Sequence, residues 1–320
     1  MSTLVAVVEQ WRTLRARLDD VIIGQDAVKE QVLTCLLAGG HALLEGVPGT
    51  GKTLLALSIS RLVGCRFRRI QFTPDLMPAD VLGTNVFNQQ TQQFEFRPGP
   101  IFADLVLADE VNRTPPRTQS ALLECMQEGA ATVDGVRYRI SPTFTVLATQ
   151  NPVEFEGTYP LPEAQRDRFL MKISIDYPAA EEEARIIAAY ASGNRLHDAA
   201  VSRLEPVMTR DALAQARETV AQGVRVETGI QRYVLEIVSA TRRDEAVQIG
   251  AGPRASLALV ECGRARAALL GRDFVTPDDI KALAAPVLTH RVTLAPEAEM
   301  EGIQLPELLA RLCDSIEVPR

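Results

Sequence analysis

Little in this 320-residue chain suggests a membrane, a metal centre or an oxidising compartment. No apolar run approaches the ~18 residues of a bilayer span. The first twenty residues carry Glu9, Asp19 and Asp20 instead of the basic-then-apolar order of a secretory leader, so a cytoplasmic location is expected. The five cysteines (Cys35, Cys65, Cys125, Cys262 and Cys313) are odd in number and scattered, which suggests neither a disulfide framework nor a zinc site. Buried thiols are expected. Histidine is scarcer still, and His41, His197 and His290 lack metal-ligand spacing, so each reads as structural or superficial. Positive charge is also short, and a net charge of −7 speaks against a general nucleic-acid-coating surface. What remains is ordinary globular material, 46% hydrophobic, with enough length to bury a large core and form two domains.

The most informative stretch is Gly46-Val47-Pro48-Gly49-Thr50-Gly51-Lys52-Thr53, which satisfies the phosphate-loop pattern G-x-x-x-x-G-K-S/T at every fixed position. From average residue usage such a match arises about once per hundred chains of this length. Its flanks agree with it. His41-Ala42-Leu43-Leu44-Glu45 suits a buried parallel strand, and residues 53–63 have helical period, with Leu55, Ile59, Leu62 and Val63 on one face and Gly64 at the C-terminal cap. Glycines let successive backbone N–H groups close on phosphate oxygens while the helix N-terminus adds positive potential. Lys52 is expected on the β and γ phosphates of the ligand, and Thr53 on a magnesium ion.

Upstream, residues 4–18 read as an amphipathic helix with Val8, Trp11, Leu14 and Leu18 on one side. The apolar turn Val21-Ile22-Ile23-Gly24-Gln25 leads into a helix over 26–37. Its place before the first strand suits an adenine pocket, and plain core packing is an equal reading. Downstream, residues 66–72 alternate as a strand. Residues 84–97 form a projecting hairpin, because Val86-Phe87 and Phe94-Glu95-Phe96 flank a Gln/Asn-rich tip. Leu105-Val106-Leu107-Ala108-Asp109-Glu110 is a buried strand that delivers two carboxylates at its C-terminal edge, where open α/β sheets place their sites. Asp109 is expected to hold magnesium through water opposite Thr53, and Glu110 to orient the water that attacks the γ-phosphate. The next helix has Thr114 as N-cap, Pro115 at its first position and Gly129 after its end.

Residues 131–140 read as a second hairpin about Asp134-Gly135, with Val136, Tyr138 and Ile140 on one face and Arg137 and Arg139 on the other. The buried strand 144–151 ends on Asn151, which either emerges beside the phosphate loop to hold the attacking water or forms a turn. Residues 162–169 place Arg166 and Arg168 close together before a last strand over 170–175; they form a solvated charged turn or supply the cation that phosphoryl transfer needs. Beyond Tyr177-Pro178 strands cease, and helical patterns run at 180–192, 210–222, 227–241, 254–270 and 277–288, with a short one after Pro306. Arg254 falls in the first turn of one of them. The organisation expected is an α/β phosphate-loop domain over 1–178, its parallel sheet flanked by helices, followed by a smaller all-helical lid over 179–320.

This ordered set resembles the AAA+ ATPases, and specifically the MoxR family, over almost the whole chain. The most specific carrier is Ala108-Asp109-Glu110-Val111-Asn112-Arg113-Thr114-Pro115-Pro116-Arg117-Thr118-Gln119-Ser120-Ala121-Leu122-Leu123-Glu124. The resemblance implies that residues 46–53 are the Walker A loop, Asp109 and Glu110 the Walker B pair, Asn151 sensor 1 and Arg254 sensor 2. It makes the hairpin at 84–97 the helix-2 insert and that at 132–140 the hairpin before sensor 1. Arg168 matches the family's Asp-Arg-Phe finger pattern, whereas Arg166 stands where the family has an apolar residue. The resemblance further implies ATP and Mg2+ as ligands and a ring homo-oligomer, expected to be a hexamer. It also implies remodelling of a protein client, in some relatives one with a von Willebrand factor A domain. A DNA-acting ring motor and a nucleotide-dependent assembly switch with little turnover are the competing readings. The Gln/Asn-rich insert offers few phosphate partners to the first of these.

Overall fold

The computed structural model describes residues 3–151, 157–191 and 199–319; His197 and Ser192 lie outside them. Helices α1 (Thr3–Asp19) and α2 (Asp26–Ala38) come first. Trp11, Leu14 and Leu18 of α1 are buried at their expected helical spacing. The turn between the two helices is held by Lys29. Its side chain is 2% exposed, ion-pairs with Asp19 and Asp26 and donates to the Ile22 carbonyl. A buried ammonium persists because it is paired.

A five-stranded parallel sheet follows. It is built from β1 (Ala42–Gly46), β2 (Phe67–Gln71), β5 (Leu105–Asp109), β8 (Thr145–Gln150) and β9 (Met171–Ile175), in the spatial order β2-β5-β8-β1-β9. Between these strands lie α3 (Lys52–Leu62), α4 (Pro78–Leu82), α5 (Pro116–Glu128) and the single turn α6 (Glu163–Arg166), which occupies the stretch read as a charged turn. Two antiparallel hairpins project from the same part of the chain, β3 (Gly83–Asn88) with β4 (Gln93–Pro98) and β6 (Ala130–Val133) with β7 (Val136–Arg139). Because all five strands run in one direction, Gly46, Asp109 and Gln150 end at the same carboxyl edge.

The start of α5 differs from expectation by one residue. Pro115, not Thr114, is the N-cap, and the helix begins at Pro116 after a 3-10 turn at Val111–Arg113. A residue that precedes proline is kept out of the helical region, so Pro115 (φ −58, ψ 152) cannot open the helix. Gly64 (φ +61) and Gly129 (φ +59) do close their helices in the left-handed conformation.

After β9 come α7 (Ala180–Ala191), α8 (Ala199–Ser202), α9 (Arg210–Gly223), α10 (Thr228–Thr241), α11 (Pro253–Leu269), α12 (Pro277–Leu288), α13 (Pro296–Met300) and α14 (Leu305–Ser315). Strands do not cease: β10 (Val247–Ile249) pairs antiparallel with β11 (Thr293–Leu294). Three and two residues are too few for alternation to register.

One hydrophobic core runs from α1 and α2 through α3 and one sheet face into α9–α12, uniting Trp11, Leu44, Ile59, Leu213 and Leu259. The other sheet face packs on α5 through Leu43, Val106, Leu123, Val146 and Phe169. All five cysteines are free thiols, and burial pushes those of Cys35, Cys65 and Cys125 up to about 12. Among the described residues, no helix is long and apolar enough to cross a membrane.

Candidate nucleotide site

The loop between β1 and α3 adopts its shape through Gly49 (φ +84) and Gly51 (φ +82). Among the described residues nothing would crowd a Cβ at either, so the glycines serve the left-handed backbone and not a close approach. Gly51 caps α3, leaving the first N–H groups of that helix without helical partners and directed at the cleft. The Lys52 ammonium donates to the carbonyls of Gly46 at 2.5 Å and Val47 at 2.8 Å. Burial lowers its pKa, opposed by the charges of Asp109 and Glu110. Gln25 ties the preceding turn to the loop, Nε2 donating to the Thr50 carbonyl at 3.1 Å.

Opposite stands the end of β5. Asp109 Oδ1 accepts from Thr149 Oγ1 at 2.6 Å, and Oδ2 accepts from Arg69 Nη2 at 2.6 Å and Nε at 3.1 Å. Thr149 Oγ1 also accepts from the Glu110 amide at 2.8 Å, so one hydroxyl aligns both acidic residues. Glu110 is held in the left-handed region (φ 59), which a non-glycine residue adopts only where its surroundings over-determine it. Those surroundings include Gln71 Nε2, which donates to Glu110 Oε2 at 2.7 Å, and Arg113, paired with the same oxygen at 3.3 Å.

Gly46, Pro48, Gly49, Thr50, Gly51, Lys52, Thr53, Asp109, Glu110 and Asn151 line one cleft of about 470 Å³. Residues from β1, β5 and β8 thus meet across the carboxyl edge. The turn expected to hold adenine does not line this cleft: Val21 and Ile22 are buried in the core and Ile23 is half-buried. Arg168 and Arg254 also stand outside it. Arg168 Nη1 donates to the Leu123 carbonyl at 3.2 Å, and Arg254 pairs with Asp167 at 3.3 Å. Arg69, Gln71 and Thr149 were not anticipated. Their signals are two long polar side chains two apart on an alternating strand and a hydroxyl, Thr149, near the carboxyl end of an otherwise mostly apolar one.

For a hard divalent cation, the Thr53 hydroxyl and the Asp109 carboxylate are donors of the right kind. Among the described residues, no cluster of three or more His, Cys, Asp or Glu could hold a metal by itself. Such a set suits magnesium carried in with phosphate oxygens. N–H donors, an ammonium and an oriented carboxylate in one cleft can bind a triphosphate and direct a water at it.

The two hairpins are joined. Phe96 stacks on Tyr138 with centroids 3.9 Å apart at 16°, and Asn85 Nδ2 donates to Asp134 Oδ2 at 2.7 Å. At the outer end Phe87 and Phe94 form an edge-to-face pair and stay 49% and 72% exposed.

Comparison with known proteins accords with this architecture. Residues 41–171 match the model of the ATPase family associated with various cellular activities (AAA), and residues 239–312 match that of the AAA lid domain. The chain is 46% identical to the uncharacterized protein YeaC of Bacillus subtilis over 93% of this chain and 92% of that one. It is 41% identical to the chaperone MoxR1 of Mycobacterium tuberculosis, over 94% and 80%, and 31% identical to the protein MoxR of Methylorubrum extorquens, over 98% of each. A solved structure of a candidate ATPase from Cytophaga hutchinsonii superposes with a TM-score of 0.90 at 36% identity, covering 99% of this chain and 97% of that one. With the sheet, the lid helices and the relatives in agreement, the chain belongs to the MoxR family of AAA+ ATPases.

Proposed function

We propose that the protein is a cytoplasmic ATP-hydrolysing motor that remodels a protein client as a ring homo-oligomer, of six subunits on the family pattern, with each ATP site shared between two chains. The observation that carries this is the convergence of Lys52, Thr53, Asp109, Glu110 and Asn151 on one cleft. Lys52 neutralises the β and γ phosphates. Thr53 and, through water, Asp109 hold Mg2+, whose chemistry when bound is to draw charge from the phosphate oxygens. Glu110, kept in place by Gln71 and Thr149, orients the attacking water, and Asn151 helps to hold it. Arg168 reaches the γ-phosphate of the next subunit. Arg254, at the start of a lid helix, answers to the nucleotide from its own or a neighbouring chain.

The joined hairpins present the exposed Phe87 and Phe94 to the client, for which a von Willebrand factor A domain is the family's example. DNA is disfavoured, because the tip at 88–93 has no basic residue and Arg137 is engaged by Glu128 at 3.0 Å. The test is Glu110→Gln. The variant should bind ATP with magnesium as the parent does and lose most hydrolysis, since an amide keeps the shape but no longer activates the water. A parent turnover no higher than that of the variant would refute the motor and identify a nucleotide switch.

A further inference from the structure

The turn that carries Arg168 is fastened to the helical part of the chain by one carboxylate with two arginines on it. Asp167, the residue before Arg168, accepts from Arg291 Nε on Oδ1 at 2.9 Å and from Arg254 Nη1 on Oδ2 at 3.3 Å. The two arginines differ in freedom. Arg291, just past the end of α12, is 4% exposed and also donates to the carbonyls of Val287 at 2.7 Å, Phe169 at 2.7 Å and Leu170 at 3.2 Å. Arg254, in the first turn of α11, is 58% exposed and among the described residues ion-pairs with Asp167 alone, at 3.3 Å. Arg291 is therefore the fixed arm and Arg254 the exchangeable one. Neighbouring contacts reinforce the fixed arm: the His290 imidazole bonds the Phe169 carbonyl at 2.9 Å, and Thr293 Oγ1 donates to Glu163 Oε1 at 2.8 Å.

We propose that Asp167 is a positioning residue that sets the placement of Arg168 from the helical part, with Arg291 as its anchor and Arg254 as the arm a phosphate can draw away. The proposal rests on the reading that Arg168 acts on a neighbouring chain's nucleotide. A guanidinium held by one ion pair exchanges its carboxylate for a phosphate oxygen readily, because both accept the same donors. When Arg254 leaves, Asp167 answers to Arg291 alone, and the next residue in the chain is Arg168. Nucleotide state at one site is thereby conveyed to the turn that serves the next.

Asp167→Asn tests this, since the amide can still accept one bond from Arg254 but no longer neutralises the buried Arg291. Displacement of a catalytic group by ~1 Å costs up to about a hundredfold in rate, so kcat should fall by about ten- to a hundredfold. KM should not rise, nor the affinity for a non-hydrolysable ATP analogue fall, by more than about twofold, because the substitution removes no group that contacts the nucleotide and only loosens the hold of the carboxylate on Arg254. Asp167→Glu keeps the counter-ion of Arg291, guards against a folding defect and should recover part of kcat. Mixing locates the defect. Combined with Glu110→Gln protein, Asp167→Asn should regain activity, because its sound pocket is then served by an unaltered Arg168 next door. An unchanged kcat in Asp167→Asn overturns the proposal. So does a failure to recover in that mixture when a parallel mixture of Arg168→Ala with Glu110→Gln does recover. Failure of both mixtures refutes the shared site itself, and the proposal with it.

Discussion

Two buried histidines make the stability of this protein acid-sensitive at pH values above those at which its lowered carboxylates titrate. His41 Nδ1 accepts from the Val146 amide at 2.9 Å while Nε2 bonds the Met126 carbonyl at 3.0 Å, which requires a neutral ring protonated on Nε2. His290 likewise bonds the Phe169 carbonyl through Nε2, and its buried Nδ1 has no partner among the described residues. Burial lowers their pKa values from 6.5 to about 4 for His41 and about 3 for His290. Protons therefore favour the unfolded chain. The stability contributed is complete above about pH 6.5 and is lost as pH falls towards 4 and 3 respectively. At pH 5 an unfolded imidazole lies about 1.5 units below its pKa, so each histidine costs ~2 kcal/mol relative to neutral pH and the pair ~4 kcal/mol. That is a large share of the ~5–15 kcal/mol that domains possess.

Asp104 and Asp279, whose carboxyls are held below the usual range by hydrogen bonds despite their burial, lose their contributions only below about pH 4. Glu261, raised by burial, acts in the opposite sense and makes the lower end of the curve shallower. Urea unfolding followed by circular dichroism from pH 8 to pH 5 measures the slope. The variant His41→Gln/His290→Gln should show most of it removed, whatever its stability at pH 8. Equal slopes in variant and parent between pH 7 and pH 5 would refute the reasoning.

Lys52→Ala should abolish tight ATP binding in calorimetry, since the point charge on the β and γ phosphates is lost and Arg69, the other cation of the cleft, is held by Asp109; unchanged affinity would remove the phosphate loop from the account. Arg168→Ala should keep ATP binding and lose about 10³- to 10⁵-fold in hydrolysis. Mixed in equal amounts with Glu110→Gln it should regain about a quarter of the parent rate, because half the pockets keep Glu110 and half of those face an intact Arg168. Repeating the mixture with Arg166→Ala decides between the two arginines.

Local pattern carried much of this protein. The phosphate loop, the carboxylates that close a buried strand, the helical periods and the glycine caps are properties of neighbouring residues, and period and backbone preference write them into short windows of sequence. Hence Lys52, Thr53, Asp109, Glu110 and Asn151 could be singled out before their meeting on one cleft was seen, as could both hairpins and the predominance of helices after residue 178. Tertiary structure decided what depends on which strand lies beside which. The order β2-β5-β8-β1-β9 puts Arg69 and Gln71 against acids about 40 residues later and sets Thr149 between them. Tertiary packing also buries Val21 and Ile22 in the core, away from the lining of the cleft, and joins the two hairpins through Phe96 and Tyr138. Asp167 looked like one charge in a charged turn. Only the packing of α11 and α12 against that turn brings Arg254 and Arg291 to it from 87 and 124 residues away. Periodicity has no term for such meetings, because they are selected by the burial of whole faces, and a side chain's partner is then whatever the packed face sets opposite it.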